Sequence, residues 1–403
     1  MTAETLVDLY SPSTYAQSMP HAAFASLRRE RPVIWQPEPD GGGYWAFTRY
    51  EDIVAISSDN SLFSSERGGT NIEDQPEEGM ALLRTILINM DPPKHTKYRK
   101  LVSTGFTPKI VTQTEPHVRE ITKRIVDGVA AKGSCDFVTD VAAKLPLAVI
   151  CEMLGVPEED HSRVFGWSNR LIGFDDPEYH TSPEDGRVAA TEMFLYAHGL
   201  AAERKARPKA DIISILMGTE VDGDVLSEAD FDGFFILLAV AGNETTRNLI
   251  SGAMLALIEH PEQRDRLIAD PAMMTTAVEE FLRWVSPLIY FRRTLARDVV
   301  VGDQQLREGE KVAMYYPSGN RDEAVFEDGH LFDVARTPNP HLAFGGGGPH
   351  FCLGASLARL EIRCMFEELL TRLPDIELEG AVQRLRSNFI NGIKHMPVRF
   401  AAA

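Results

Sequence analysis

The stretch HLAFGGGGPHFCLGASLARLE, residues 341–361, sets four consecutive glycines before one histidine and one cysteine, then turns into helical text. Glycine loses more conformational freedom on ordering than any other residue, so such a run argues for close backbone approach rather than stability. Leu353, Leu357, Leu360 and Cys364 recur at helical spacing and Pro374 ends the run. The spacing therefore predicts a helix beginning around Cys352, at the mouth of a Gly-rich loop. A first helical turn offers unpaired N–H groups and partial positive charge, and both favour a thiolate. Two chemistries want that sulfur: a nucleophile beside a base, or a metal or heme-iron ligand in a shielded pocket.

His350 is the one nearby base, but residues two apart in an extended loop sit awkwardly for a Cys–His pair. A phosphate cradle is the other use of a Gly-rich loop, yet the GK[ST] ending and the acid of a dinucleotide fingerprint are missing. A purely structural turn remains as the third reading. The other cysteines, Cys135, Cys151 and Cys364, form no CxxC pair and no zinc spacing with histidine, and read as small buried hydrophobes.

The 403 residues, 44% apolar and 25% charged, suit a globular protein with a large core. No linker, repeat or low-complexity tract offers a cut, so one domain over 1–403 is expected. A net charge of -18 argues against nucleic-acid and anionic-membrane binding. The N-terminus shows neither a signal-peptide pattern nor a spanning stretch, which predicts a cytoplasmic protein without a membrane anchor.

Most of the chain reads as helix with small patches of strand. Strand text appears in PVIWQPEPDGGGYWAFTRY, in FRRTLARDVVVGDQQLREGEKVAMYY, and in DIELEG and HMPVRFA near the C-terminus. The longest helix starts at Ser227 as N-cap with Asp230 in the capping-box position and stops at Pro261. At ~1.5 Å per residue it runs on the order of 50 Å. Its middle is apolar nearly all round, so the polar NETT inside it is costly unless bonded or used.

AVEEFLRWVSP places Glu280 and Arg283 three apart on a helix, Arg336 precedes the Gly-rich loop, and His95 and Arg99 stand one helical turn apart in INMDPPKHTKYRKLVSTGFTP. Each alone also reads as a solvated charge. Together, from about Arg84 to His395, these residues resemble the cytochrome P450 family of heme-thiolate monooxygenases. FGGGGPHFCLG is similar to the family's heme-binding signature, Glu280 and Arg283 to its ExxR pair with Arg336 as third partner, and AGNETT to its oxygen-activating motif.

The resemblance implies a mainly α fold with small β-sheets (α+β), a helical bundle around a buried heme with a long central helix. It implies heme b (iron protoporphyrin IX) with Cys352 as axial thiolate, Phe344 and Gly354 framing that ligand, and His95, Arg99, Arg293 and His350 at the heme carboxylates. Glu244 and Thr245 match the acid and alcohol that relay protons to oxygen, and Gly242 the residue that makes room for it. In this light the glycines of the opening stretch bring the chain beneath the heme, leave space around sulfur and let N–H groups tune it.

Two departures narrow the branch: Phe344 to Cys352 spans 352 − 344 = 8 positions, one more than the commonest pattern, and Glu244 stands where Asp is commoner. MDPPKHTKYRKLVSTGFTP, AVAGNETTRN, SGNRDEAVF and NGIKH resemble bacterial enzymes that hydroxylate terminal methyl groups of methyl-branched lipids and sterol side chains. A tailoring hydroxylase of terpenoids, polyketides or peptides, and a heme sensor without turnover, are the alternatives. Expected pocket walls are Phe235, Leu238, Val240, Leu288, Ile289, Phe291, Phe389 and Ile390, with the MALLRTILI segment; each also reads as core. No flavin or iron-sulfur motif is visible, so electrons are expected from a ferredoxin served by an NAD(P)H-dependent reductase. A basic patch of Lys94, Lys97, Lys100, Arg359 and Arg363 is expected to receive it.

Overall fold

The computed structural model describes residues 7–179, 182–209, 212–218, 220–221 and 224–402. Helices dominate, and the expected strands are where alternation placed them. Val33–Gln36 pairs antiparallel with Tyr44–Phe47, which runs parallel to Lys311–Tyr315. Tyr290–Leu295 and Phe63–Ser64 complete a five-stranded sheet. A three-stranded sheet joins Glu377–Leu378, Pro397–Arg399 and Ser134–Asp136, so the C-terminus is tied to the middle of the chain.

The central helix spans Glu228–Glu259, and the Ser227 hydroxyl accepts the Asp230 N–H at 3.2 Å as the expected cap. His260 closes it, directly before Pro261. The helices Lys144–Met153, His161–Ile172, Pro183–Ala206, Met274–Val285 and Ala355–Arg372 pack against it. This packing buries the large core, which includes Phe231, Phe281 and Phe366. A second cluster, with Ile72, Ile289, Tyr290, Phe389 and Ile390, lies against the five-stranded sheet. No helix among the described residues is long and apolar enough to cross a membrane.

Glu280 and Arg283 are wholly buried and bonded as a fork, with Nε and Nη2 donating to the two carboxylate oxygens at 2.7 Å each. Arg283 spends its remaining donors on the carbonyls of Asn320, Gly329 and Leu331 at 2.8–2.9 Å. Glu280 also accepts the Asp333 N–H at 2.9 Å and the Asn339 amide at 3.0 Å, and Arg336 stands 3.3 Å away. The expected three-residue network is thus complete, and it organises the meander 320–340 that leads into the Gly-rich loop. Removing one member of a buried pair leaves an uncompensated charge, at about 3–5 kcal/mol. Arg283→Ala should therefore lower the urea midpoint of unfolding by that equivalent, and Glu280→Gln should lower it too, because it leaves Arg283 without its counter-charge and turns an amide NH2 toward other donors.

Candidate active site

Cys352 lies in the loop and not in the helix: the helix begins at Ala355, with Gly354 as N-cap. The later start has a physical cause. The Cys352 N–H donates to the Phe344 carbonyl at 3.0 Å, which closes the loop and takes that residue out of helical register. The Gly354 N–H reaches the sulfur; burial pushes the Cys352 thiol up, and that N–H with Arg99 and Arg359 opposes the shift. The Phe344 ring lies edge-on to Phe351 at 6.4 Å, with the Arg359 guanidinium 4.6 Å over it.

Two of the glycines also serve a neighbour that the sequence did not suggest. Gly348 has φ +71°, and a Cβ there would stand 2.1 Å from the Ser57 carbonyl at the end of the helix Tyr50–Ser58. A Cβ on Gly346 would meet the Ser57 hydroxyl at 2.8 Å. Two of the four glycines therefore let the loop lie on that helix, which positions the cysteine from behind.

His95, Arg99, Arg293 and His350 come together from three separate elements. The rings of His95 and His350 stand 4.2 Å apart. Both His95 ring nitrogens and His350 Nδ1 are buried without a hydrogen-bond partner, while His350 Nε2 lies 3.3 Å from the Ser65 hydroxyl. Burial, with Arg99 and Arg293 behind it, pushes His95 down to about 4. Burial, Arg293, His95 and Arg99 drive His350 lower still. The Arg293 guanidinium, on the strand Tyr290–Leu295, donates to the Arg292 carbonyl at 2.8 Å, and that of Arg99 to the Phe351 carbonyl. Among the described residues no carboxylate bonds either one. Four donors with spare capacity beside a half-buried thiol are what a ligand with its own carboxylates requires. The residues therefore fit a heme whose carboxylates they face.

On the central helix, Ala241 is exposed and Leu237 and Thr245 half-buried, in a helix whose flanks are buried. These residues, four apart, form one stripe along an open face. The Thr245 hydroxyl donates to the Ala241 carbonyl at 2.7 Å. Glu244 is buried in an ion pair with Arg247, whose Nη1 donates to Asn169 Oδ1 at 2.7 Å. Burial pushes the Glu244 carboxyl up and Arg247 opposes it. Arg247 was missed by sequence reasoning, although its spacing from Glu244 repeats that of Glu280 and Arg283. Gly242 does not face the stripe. A Cβ there would press on Ile150 Cδ1 at 3.2 Å, so this glycine brings the helix close to Lys144–Met153, and Ala241 is the residue that opens toward the site.

The expected apolar wall divides into two parts. Leu288, Ile289, Phe291, Phe389 and Ile390 converge: the Ile289 N–H donates to the Phe389 carbonyl at 2.9 Å, Leu288 bridges Ile390, and the Phe291 and Phe389 rings lie 5.9 Å apart. Phe235, by contrast, is fully buried beside Tyr196 and Phe231, with ring centroids 6.2 and 6.5 Å away. At roughly 100° per residue, Phe235, Val240 and Gly242 all lie about 100–120° around the helix from Ala241. Phe235 is therefore core, Leu238 is a buried member of the same core at the edge of the stripe, and Val240 is half-buried against it.

Fold, thiol and converging donors fit a heme-thiolate protein, and the comparisons give its family. A family profile described as Cytochrome P450 matches residues 193–374. The chain is 44% identical to a steroid C26-monooxygenase of Rhodococcus jostii, covering 98% of this chain and 85% of the relative. It is 44% identical to a methyl-branched lipid omega-hydroxylase of Mycobacterium tuberculosis, covering 94% and 90%. The structure of Mycobacterium marinum cytochrome P450 CYP268A2 in complex with pseudoionone superposes with a TM-score of 0.92 at 43% identity, covering 98% of this chain and 99% of that one. The chain belongs to the cytochrome P450 family and is a monooxygenase, with the heme iron, cysteine ligation, O2 and redox partners this implies.

Arg293→Leu keeps the volume but removes one charged donor from the buried set. Transfer of heme to apomyoglobin should be faster by on the order of tenfold, as the loss of one charge-assisted bond predicts.

Proposed function

We propose that this enzyme hydroxylates the terminal methyl group of methyl-branched lipids or of sterol and isoprenoid side chains. The observation that carries the reading is the 44% identity, over nearly the whole chain, to relatives named for those two reactions. The converging residues Leu288, Ile289, Phe291, Phe389 and Ile390 support it, because they offer a greasy wall without a charged side chain.

In this proposal a b-type heme bound through Cys352 supplies the oxygen chemistry. His95, Arg99, Arg293 and His350 would hold its carboxylates, and the stripe Leu237, Ala241 and Thr245 would give it an open helix face. Thr245 presents its hydroxyl to that face, anchored on the Ala241 carbonyl, and passes protons inward. Glu244 replenishes them from a buried carboxyl, which must leave Arg247 to do so. Phe344 and Gly354 hold the sulfur from either side, and the wall residues exclude water.

Electrons come, in this reading, from a cytoplasmic ferredoxin and its NAD(P)H-dependent reductase. The docking patch is narrower than expected. Arg359 is forked onto Glu279 at 2.7 and 2.8 Å, and Arg363 lies 2.9 Å from Glu115. Their charge is thus largely compensated, and in this reading the attraction comes mainly from Lys94 and Lys100 on the helix Lys94–Ser103.

The reading is tested by titrating the ferric holoenzyme with branched fatty acids, sterol enones and terpenoids while following the Soret band. A low-spin to high-spin shift with the first two supports it; a response confined to terpenoids favours natural-product tailoring instead. Thr245→Ala should keep the heme spectrum yet divert most reducing equivalents to hydrogen peroxide, read as the ratio of peroxide formed to NAD(P)H consumed. Unchanged coupling would remove Thr245 from the relay.

A further inference from the structure

The motif NGIKH, residues 391–395, ends in two side chains that the heme site does not use. Lys394 and His395 belong to the strand Ile393–His395, and both reach the connection between the helices His161–Ile172 and Pro183–Ala206. Lys394 Nζ donates to Asp176 at 3.0 Å and to Glu178 at 2.7 Å. His395 is held at both nitrogens, Nδ1 to Asp136 at 2.6 Å and Nε2 to Glu178 at 2.8 Å. Asp176 is buried and also accepts the backbone N–H groups of Arg386 at 2.9 Å and Glu178 at 3.0 Å. Arg386 donates to the Asp175 carbonyl at 2.7 Å. One short segment, 175–178, is therefore fastened to the C-terminal hairpin by two cations, one imidazole and one main-chain N–H.

What lies beneath that segment is the apolar wall. Ile172 and Tyr179, at its two ends, pack on the cluster that contains Ile289, Phe389 and Ile390. We propose that Lys394, His395 and Arg386 are positioning residues that clamp segment 173–179 over the substrate wall, with His395 as the member that releases the clamp on losing a proton. An imidazole that donates from both nitrogens must carry two protons, and a neutral ring can serve only one of the two carboxylates as donor.

The surroundings favour the charged ring. Burial pushes the His395 imidazole down, but Glu178 and Asp136 outweigh it and raise the value above the ordinary 6.5. Asp140, whose carboxylate accepts the Asp136 N–H at 3.2 Å, adds negative charge on the far side, and Lys394, Arg384 and Arg386 are cations of the hairpin itself. The central helix meets the strand through the uncharged Asn248, which accepts the Ile393 N–H at 3.3 Å. A group whose value is raised in the closed form stabilises closure fully below its ordinary value and loses that contribution as pH rises through the raised one. Entry should therefore be slower in mild acid and faster in mild alkali.

The inference rests on the wall assigned above, so the probe is chosen to be independent of the lipid reading. Phenylimidazole, an azole that binds P450 heme whatever the natural substrate, is mixed by stopped flow with the holoenzyme from about pH 6 to about pH 9. In the same samples, hydrogen exchange is followed in the peptide covering 173–179. The association rate should rise roughly fivefold with pH in the native enzyme, alongside loss of exchange protection in that peptide. His395→Gln should give the faster rate at every pH with a flat profile. Glu178→Gln, a change at a partly exposed residue outside the hairpin, should do the same if His395→Gln does not fold. A native rate and exchange pattern that ignore pH, or variants that follow the native profile, would overturn the clamp. Pure lipid inertness with an intact pH response would instead count against the substrate reading alone.

Discussion

The buried fork between Glu280 and Arg283 is the constraint on which the remaining structure leans. Two opposite charges without solvent are tolerable only when every remaining donor and lone pair is used, and here the partners are backbone groups of residues 320–333 together with Asn339 and Arg336. That requirement fixes an otherwise irregular meander. The meander delivers the Gly-rich loop, and the loop delivers Cys352, so a pair far from sulfur determines where sulfur sits.

The same logic of satisfied and unsatisfied groups separates scaffold from site. Glu280 and Arg283 pair with each other, and the further donors and acceptors of both are used. Around His95 and Arg293 donors are gathered that, among the described residues, no carboxylate bonds, which suits a protein that expects an anionic guest. The contrast between the two clusters of charge identifies the site more directly than either cluster does alone.

Local pattern made much of this legible in the sequence. Alternating residues gave the strands around Trp35 and Trp45 and those at Tyr290–Leu295 and Lys311–Tyr315, and Ser227 with Asp230 gave the central helix its start. What escaped was set by contacts across the chain. The helix after Cys352 starts late because of the Phe344 carbonyl, and Gly346 and Gly348 answer to Ser57, nearly three hundred residues away. Arg359 and Arg363 looked like free cations because Glu279 and Glu115 lie 80 and 248 positions away. Phe235 and Val240 were assigned to the wall because apolar text on all sides of a helix carries no rotational information, and only the exposed Ala241 fixes its orientation.

Asn169 joins two parts of the molecule that have been treated separately. Its side chain accepts from Arg247, the counter-ion of the buried acid, while its carbonyl accepts the Gly173 N–H at 2.8 Å, where the clamped segment leaves its helix. One residue is thus bonded both to the counter-ion of the buried acid and to the start of the segment that Lys394, His395 and Arg386 fasten. The proposed clamp and the proposed proton donor share a single anchor.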